Sequence, residues 1–434
     1  MALEAISGVI GIVSDALGLI DTVADQFPSQ SSGSKTTVRI GAGLPMSAKD
    51  KSASLGGKVP HIGLAGNSGN WLGVKKSNGH TIDDGNFADI DVDQGDSNES
   101  PAYVVVAAGG NDALCISYIA ITDPAKNQQA WVGDVGYQCG ARWYYSSAIF
   151  GSSNYQPRCT WIDGDDTNDI VEYAISMHIT DFKGVGDPSQ HQGLVKEYKD
   201  NVASMCGSAP RLTFWSSWDM DKDRMPIYNP VLQYNDDGSD KSNIYTAGDS
   251  LGHPMGKPIE LTPVGLQRKR RRGIASPNAS NGTVNATMKS NPRPDDIVIT
   301  RNTEHKIRPL CDHPKALGPS IVNLAEELFC DMTDKIVYPL CSSNVTCGCL
   351  DLGNVAGNLN DTNSTLPSGS TSQNSTSTNT PRLKPTCSKQ RLGKPTDDPT
   401  IHPDSRVEDS ANTSGVGSGS SSGGVAFKNV IHWT

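Results

Sequence analysis

The sequence predicts a mainly β protein: an N-terminal amphipathic helix, a β-sandwich domain, a small disulfide-rich unit and a disordered Ser/Thr/Asn/Gly-rich tail. Three observations predict it. Short apolar runs with a period of two, parted by Gly-, Asn- and Asp-rich turns, recur through residues 35–218. Ten cysteines divide four and six between the two halves, the even split that two separately bridged parts require. Beyond residue 352 the chain is too poor in apolar side chains to offset the entropy of folding.

Composition agrees. Hydrophobic residues are 36% of the 434, below the ~45–50% of a typical globular chain, so less of the length is core than the count suggests. A net charge of −10 disfavours nucleic acid as a partner on electrostatic grounds.

Residues 1–28 read as an amphipathic helix. Leu3, Ile6, Ile10, Val13, Leu17, Ile20, Ala24 and Phe27 alternate spacings of three and four, and Pro28 ends the run. The segment has no Lys or Arg, and Glu4, Asp15, Asp21 and Asp25 interrupt it, which makes it a poor signal peptide and no membrane span. Three readings stay open: a helix docked on its own domain, a membrane-contacting or self-associating helix acting through residues 3–27, and an atypical targeting segment.

Residues 35–218 are expected to form the sandwich. Thr37–Ile40, Pro60–Leu64, Phe87–Val92, Tyr103–Val106, Leu114–Ile121 and Ala174–Ile179 are its clearest strands, and Asn78-Gly79 and Gly109–Asp112 supply turns. Residues 219–307 read as linker. They carry the run Arg268-Lys269-Arg270-Arg271-Arg272, whose alternatives are a processing site, a nuclear-import signal and a solvated charge cluster. In a secreted chain the pair Arg271-Arg272 is similar to the sites cut by kexin-like proteases, which would make such a protease a partner.

Residues 308–352 are expected to be a compact Cys-rich unit with one helix near Ser320–Cys330, where Ile321, Leu324, Ala325 and Leu328 share a face. The tail, 353–434, reads as low-complexity, with Val425–Trp433 a candidate end strand. Cys115, Cys139, Cys159 and Cys206, then Cys311, Cys330, Cys341, Cys347, Cys349 and Cys387, are disulfide candidates. Zinc is the weaker alternative, since neither Cys347-Gly348-Cys349 nor Cys311-Asp312-His313 has the C-x2-C spacing. Glycosylation sequons begin at Asn98, Asn278, Asn281, Asn285, Asn344, Asn360, Asn363, Asn374 and Asn412, and all but the first lie beyond the basic run.

Candidate chemistry is sparse. Trp131, Trp143, Tyr144 and Tyr145 form a candidate binding face, because neighbouring rings on a strand point to opposite sides; core packing is the competing fate. Asp163, Asp165 and Asp169 place oxygens at alternate positions, as a calcium loop does, but Asn168 and Ala174 break the EF-hand pattern. The alternative is an Asp/Gly turn and no cofactor. Gly248-Asp249-Ser250-Leu251-Gly252 fits a serine-hydrolase nucleophile turn, yet a polar stretch precedes it and no D-x-x-H follows. His61, His80, His178 and His191 lack metal-ligand spacing and read as structural.

Two resemblances follow. Val38–Gly41, Ile62–Leu64, Asp84–Asp89 and Tyr103–Ile121 occur in an order that resembles PLAT/LH2-like β-sandwich domains, with an insertion at Asp93–Ser100; this implies lipid or protein binding, sometimes with calcium. Gly110–Ala113, Trp131–Asp134, Cys139–Ser146, Cys159–Asp163, Leu328–Met332 and Tyr338–Cys341 are similar to a poorly characterised family of secreted proteins of filamentous fungi. That implies an extracellular compartment and no transferable activity. The expectation is a secreted binding protein for a lipid, a glycan or a host or competitor protein. Its alternatives are a membrane-acting cell-death effector and a serine hydrolase using Ser250.

Overall fold

Val38 and Ile40 on the Lys35–Ala42 strand stand across from Ile121 and Ile119 on the Leu114–Thr122 strand, giving the pair one apolar face. A six-stranded sheet grows from them in the computed structural model, which describes residues 26–29, 33–43, 55–146, 155–182, 192–206, 210–241, 247–248, 256–264, 295–353, 381–384, 427 and 429–433. Its order is Trp143–Tyr144, Cys159–Ile162, Leu114–Thr122, Lys35–Ala42, Phe87–Asp93. The outer edge of Leu114–Thr122 is shared between Cys159–Ile162 and Gln128–Val132. Ser117 sits at the bulge opposite, its hydroxyl 3.0 and 3.1 Å from the carbonyls of Gly41 and Ala42.

A second antiparallel sheet runs Lys257–Pro258, Leu212–Ser217, Ala174–His178, Tyr103–Ala107, His61–Ala65, Trp71–Lys75. Its Ile62, Leu64, Val104, Val106, Ile175 and Phe214 share one buried core with Val38, Ile40, Ile119 and Ile121 of the first. The chain is therefore mainly β, and all six strands expected from period-two patterning are present. The entering segment is tied down as well. Arg39 Nη1 and the Tyr118 hydroxyl donate to the Gln26 carbonyl and Gln26 Oε1 (3.2 and 3.0 Å), and Thr122 Oγ1 donates to the Pro28 carbonyl (2.9 Å). Residues 1–25, with the expected helix, lie outside the described residues.

The 219–307 linker expectation needs correction at both ends. Trp218, Met220, Met225, Ile227, Tyr228 and Leu232 bury the far face of the second sheet, packed on Tyr103, Val105 and Trp215. Scattered apolar residues in a polar stretch suffice to cover a sheet with little regular structure beyond the short Ile227–Tyr228 strand, which pairs with Ala247–Gly248. At the other end, Asp296–Thr300 is a fully buried strand. It lies between Ser320–Asn323 and the Asn429–Trp433 edge strand of a five-stranded third sheet, parallel to both. Leu328–Asp331 and Ile336–Pro339 extend that sheet antiparallel. The Cys-rich unit thus begins before residue 308 and recruits a strand from the tail.

No helix forms at Ser320–Cys330: the segment is a hairpin. Ile321 and Val322 are β-branched and pair as strand, and Asn323 Oδ1 then accepts from the backbone N–H of Ala325 and Glu326 (2.8 and 3.2 Å), turning the chain. Glu327 completes the turn at φ 54°. The apolar spacing that suggested a helix is shared by two strands and a turn.

Four disulfides are described: Cys115–Cys159, Cys139–Cys206, Cys311–Cys330 and Cys341–Cys349. None crosses between the first four cysteines and the last six, as the partition anticipated. Cys347 is disulfide-bonded too, and Cys387 lies outside the described residues. The Cys139–Cys206 bridge closes 67 residues. Replacing both by Ser is expected to lower stability by about 2–4 kcal/mol, read as a fall in the urea midpoint with a steeper slope as the denatured chain expands.

Candidate functional site

The expected binding face is not a surface. Trp131, Trp143, Tyr144 and Tyr145 are all buried, and so is Trp161. Trp131 stands opposite Ile119 and packs inside the core between the sheets. The others are sealed because both sides of their strands are covered: the third sheet and its approaches lie on them, through Ile307, Leu310, Ala316, Leu317 and Met332. Backbone pairing joins the halves where Trp143 N–H donates to the Lys315 carbonyl (3.2 Å) and Leu317 N–H to the Trp143 carbonyl (3.0 Å).

Trp143, Tyr144, Tyr145 and Trp161 each have a polar tip that finds an acceptor across the seam. Trp161 Nε1 donates to the Leu317 carbonyl (2.9 Å), Tyr144 to that of Pro319 (2.7 Å) and Tyr145 to that of Lys306 (3.0 Å). Trp143 Nε1 donates to His313 Nδ1 (3.1 Å), which also accepts the Lys315 N–H (3.1 Å). Burial, then Lys335 and Lys315 nearby, lower His313 to about 4, so it stays a neutral acceptor. Lys335 itself is brought down to about 7 by burial.

Around the seam lie two ion pairs. Arg158 Nη1 meets Asp134 Oδ1 at 2.6 Å, with its guanidinium 4.4 Å from the Tyr137 ring centroid. Tyr155 donates to the other Asp134 oxygen. Arg142 reaches the buried Glu172 at 3.1 Å. Both pairs serve packing and charge compensation beside the buried rings.

A second cluster was not legible in the sequence. His178 ends the Ala174–His178 strand, Asp181 lies on the following 3-10 turn, and Arg211 precedes the Leu212–Ser217 strand. Arg211 Nε meets Asp181 Oδ2 at 2.8 Å, and its Nη2 lies 2.8 Å from both Asp240 oxygens. Tyr234 donates to Asp181 Oδ1. Burial would raise the Asp181 carboxyl, but Arg211 and His178 hold it well below the usual carboxylate range. Burial likewise pushes Tyr103 up to about 12; its hydroxyl accepts the Tyr228 N–H (2.7 Å).

His178 Nδ1 is 3.1 Å from Asp181, and Thr180 Oγ1 lies 2.9 Å from Nε2 and 3.2 Å from Nδ1. A hydroxyl nearly equidistant from both ring nitrogens lies off the lone-pair axis of either. The three therefore do not form a nucleophile–base–orienter relay. The cluster acts as a buried ionic clasp between the second sheet and residues 234–240. His178 is structural, as its spacing suggested.

Asp163 is buried, and its oxygens are engaged by the Gly164 N–H (2.7 Å) and Thr167 Oγ1 (2.9 Å). Burial raises it to about 6, with Asp165 beside it contributing. Asp163 and Asp165 are brought together; Asp169 does not join them, and no group of three or more ligand-type side chains forms among the described residues. Ser250, Arg271 and Arg272 lie outside the described residues, as do Asn278, Asn281, Asn285, Asn360, Asn363 and Asn374. Asn98 and Asn344 are exposed.

Two outcomes follow from this geometry. His313 is depressed in the fold, so the stability it contributes is present above pH 6.5 and lost as pH falls towards 4. By pH 5 the loss is about 2 kcal/mol on that basis, and His313→Gln is expected to flatten this part of the pH–stability curve. Asp181→Asn leaves Arg211 partly unpaired in the interior and is expected to cost about 3–5 kcal/mol in chemical denaturation. No family model matches the chain, and no curated protein matches it.

Proposed function

We propose that the chain is a secreted, disulfide-bonded, glycosylated fungal protein that binds and does not catalyse, its β-sandwich serving as the binding module. Cleavage after Arg272 by a kexin-like protease is part of this reading. The disulfide set carries it. Bridges such as Cys115–Cys159 and Cys139–Cys206 join elements of the buried core, and structural bridges of this kind persist in an oxidising compartment. The exposed sequon at Asn344 and the linker sequons suit glycans. Against catalysis stands the engagement of His178, Asp181 and Arg211 with one another.

Among lipid, glycan and protein ligands, a lipid fits best. A half-open groove of about 310 Å³ runs beside the Lys257–Pro258 edge, lined by Leu212, Phe214, Ile259 and Leu261, with Thr213 and Glu260. Its size is at the small end of ligand sites, roughly 300–1,000 Å³, and Leu212, Phe214, Ile259 and Leu261 offer an acyl chain contact.

Intact-mass analysis of protein from the native culture medium is expected to find glycosylated fragments divided after Arg272. An unmodified chain confined to cells would overturn the extracellular reading. A fluorescent fatty acid is expected to bind the full chain and to lose at least tenfold in affinity with Leu261→Asp; binding unchanged by that substitution would remove the groove as the site.

A further inference from the structure

Trp143, Tyr144, Tyr145 and Trp161 all belong to the N-terminal body, and each donates its polar hydrogen to an acceptor between residues 306 and 319. Taken alone, that body would present four large rings without the acceptors that residues 306–319 supply. The facing segment is shaped for them: a Cβ on Gly318 would stand 2.4 Å from the Tyr144 ring. Lys315 Nζ adds a bond to the Gly140 carbonyl (2.5 Å), the left-handed cap of the Gly133–Cys139 helix. Asn302 Nδ2 adds another to Gln156 (2.5 Å).

None of the four described disulfides links the two sides. Cys347 and Cys387, the remaining cysteines, both lie on the C-terminal side of the basic run. The seam therefore has the composition of a protein–protein interface: buried aromatic anchors, satisfied polar tips and a peripheral rim of Lys and Asn contacts.

We infer that the C-terminal unit, residues 295–353, is the resident protein partner of this aromatic face, held by the seam itself and not by the covalent connection through 265–294. A chain opened anywhere in that connection stays one particle. The inference does not rest on natural processing, since an artificial cut tests it equally.

The test replaces Arg268–Arg272 with the recognition sequence of a site-specific protease in the full chain, purified under oxidising conditions and then cut. Denaturing electrophoresis without reductant is expected to resolve two fragments. Gel filtration at micromolar concentration and neutral pH is expected to return both at the elution volume of the uncut chain. Fragments eluting apart, or fragments still joined in the non-reducing denaturing gel, would each overturn the inference. Gly318→Val, which drives a side chain into the Tyr144 ring, is expected to let the cut fragments separate. Because that variant can fail at folding, Tyr144→Phe serves beside it, expected to speed fragment exchange at least several-fold. Exchange as slow as in the unsubstituted cut chain would sink the assignment of the seam.

Discussion

The donation of aromatic N–H and O–H groups into three backbone carbonyls and one imidazole nitrogen of a distant segment is the constraint on which this architecture depends. A buried donor left without a partner costs about 1–3 kcal/mol, more than the bond contributes when made. Four such donors in one seam fix where residues 306–319 must lie. Once that loop is set, the Asp296–Thr300 strand and the Ser320–Asp331 hairpin can only stack beside it. Hydrophobic burial supplies most of the attraction there, while the directional bonds select one register among the many a greasy surface would allow.

Much of the fold was legible because the sheets obey a simple periodicity. Val38 and Ile40, Val104 and Val106, and Ile119 and Ile121 alternate as strands do, and Asn78-Gly79 turns with Gly79 at φ 79°. The unread strands fail that test for physical reasons. Asp296-Ile297-Val298-Ile299-Thr300 is buried throughout, as Tyr103–Ala107 is, but it abuts a low-complexity stretch that diluted its signal. Ser320–Cys330 mimics helical spacing only because two strands and an Asn-capped turn happen to share it.

The candidate sites were harder to read than the fold. Consecutive Trp143-Tyr144-Tyr145 implied one ring outside, a correct statement about a strand with one open face. A partner more than a hundred residues away closes that face, and no local pattern announces it. Arg211 is equally silent in sequence: it sits 30 residues from Asp181 and 29 from Asp240. Gly133-Asp134 and Cys139–Tyr145 turn out to be the seam and its supports. Their residue types answer to packing and charge compensation, with Arg158 held against Asp134 and Arg142 against Glu172.

The parallel pairing of Asn429–Trp433 with Asp296–Thr300 has a consequence for how the molecule is made. Translation delivers Asp296–Thr300 long before the strand that covers one of its edges. On the ribosome the nascent third sheet therefore carries an open, apolar parallel edge while the whole low-complexity stretch is still being synthesised. Such an edge is a template for the wrong neighbour. The intervening stretch, rich in Ser, Thr and Asn and carrying sequons at Asn360, Asn363 and Asn374, emerges in that same interval. On the secretory reading proposed above, glycans added there would screen the unfinished sheet from other nascent chains until its last strand arrives.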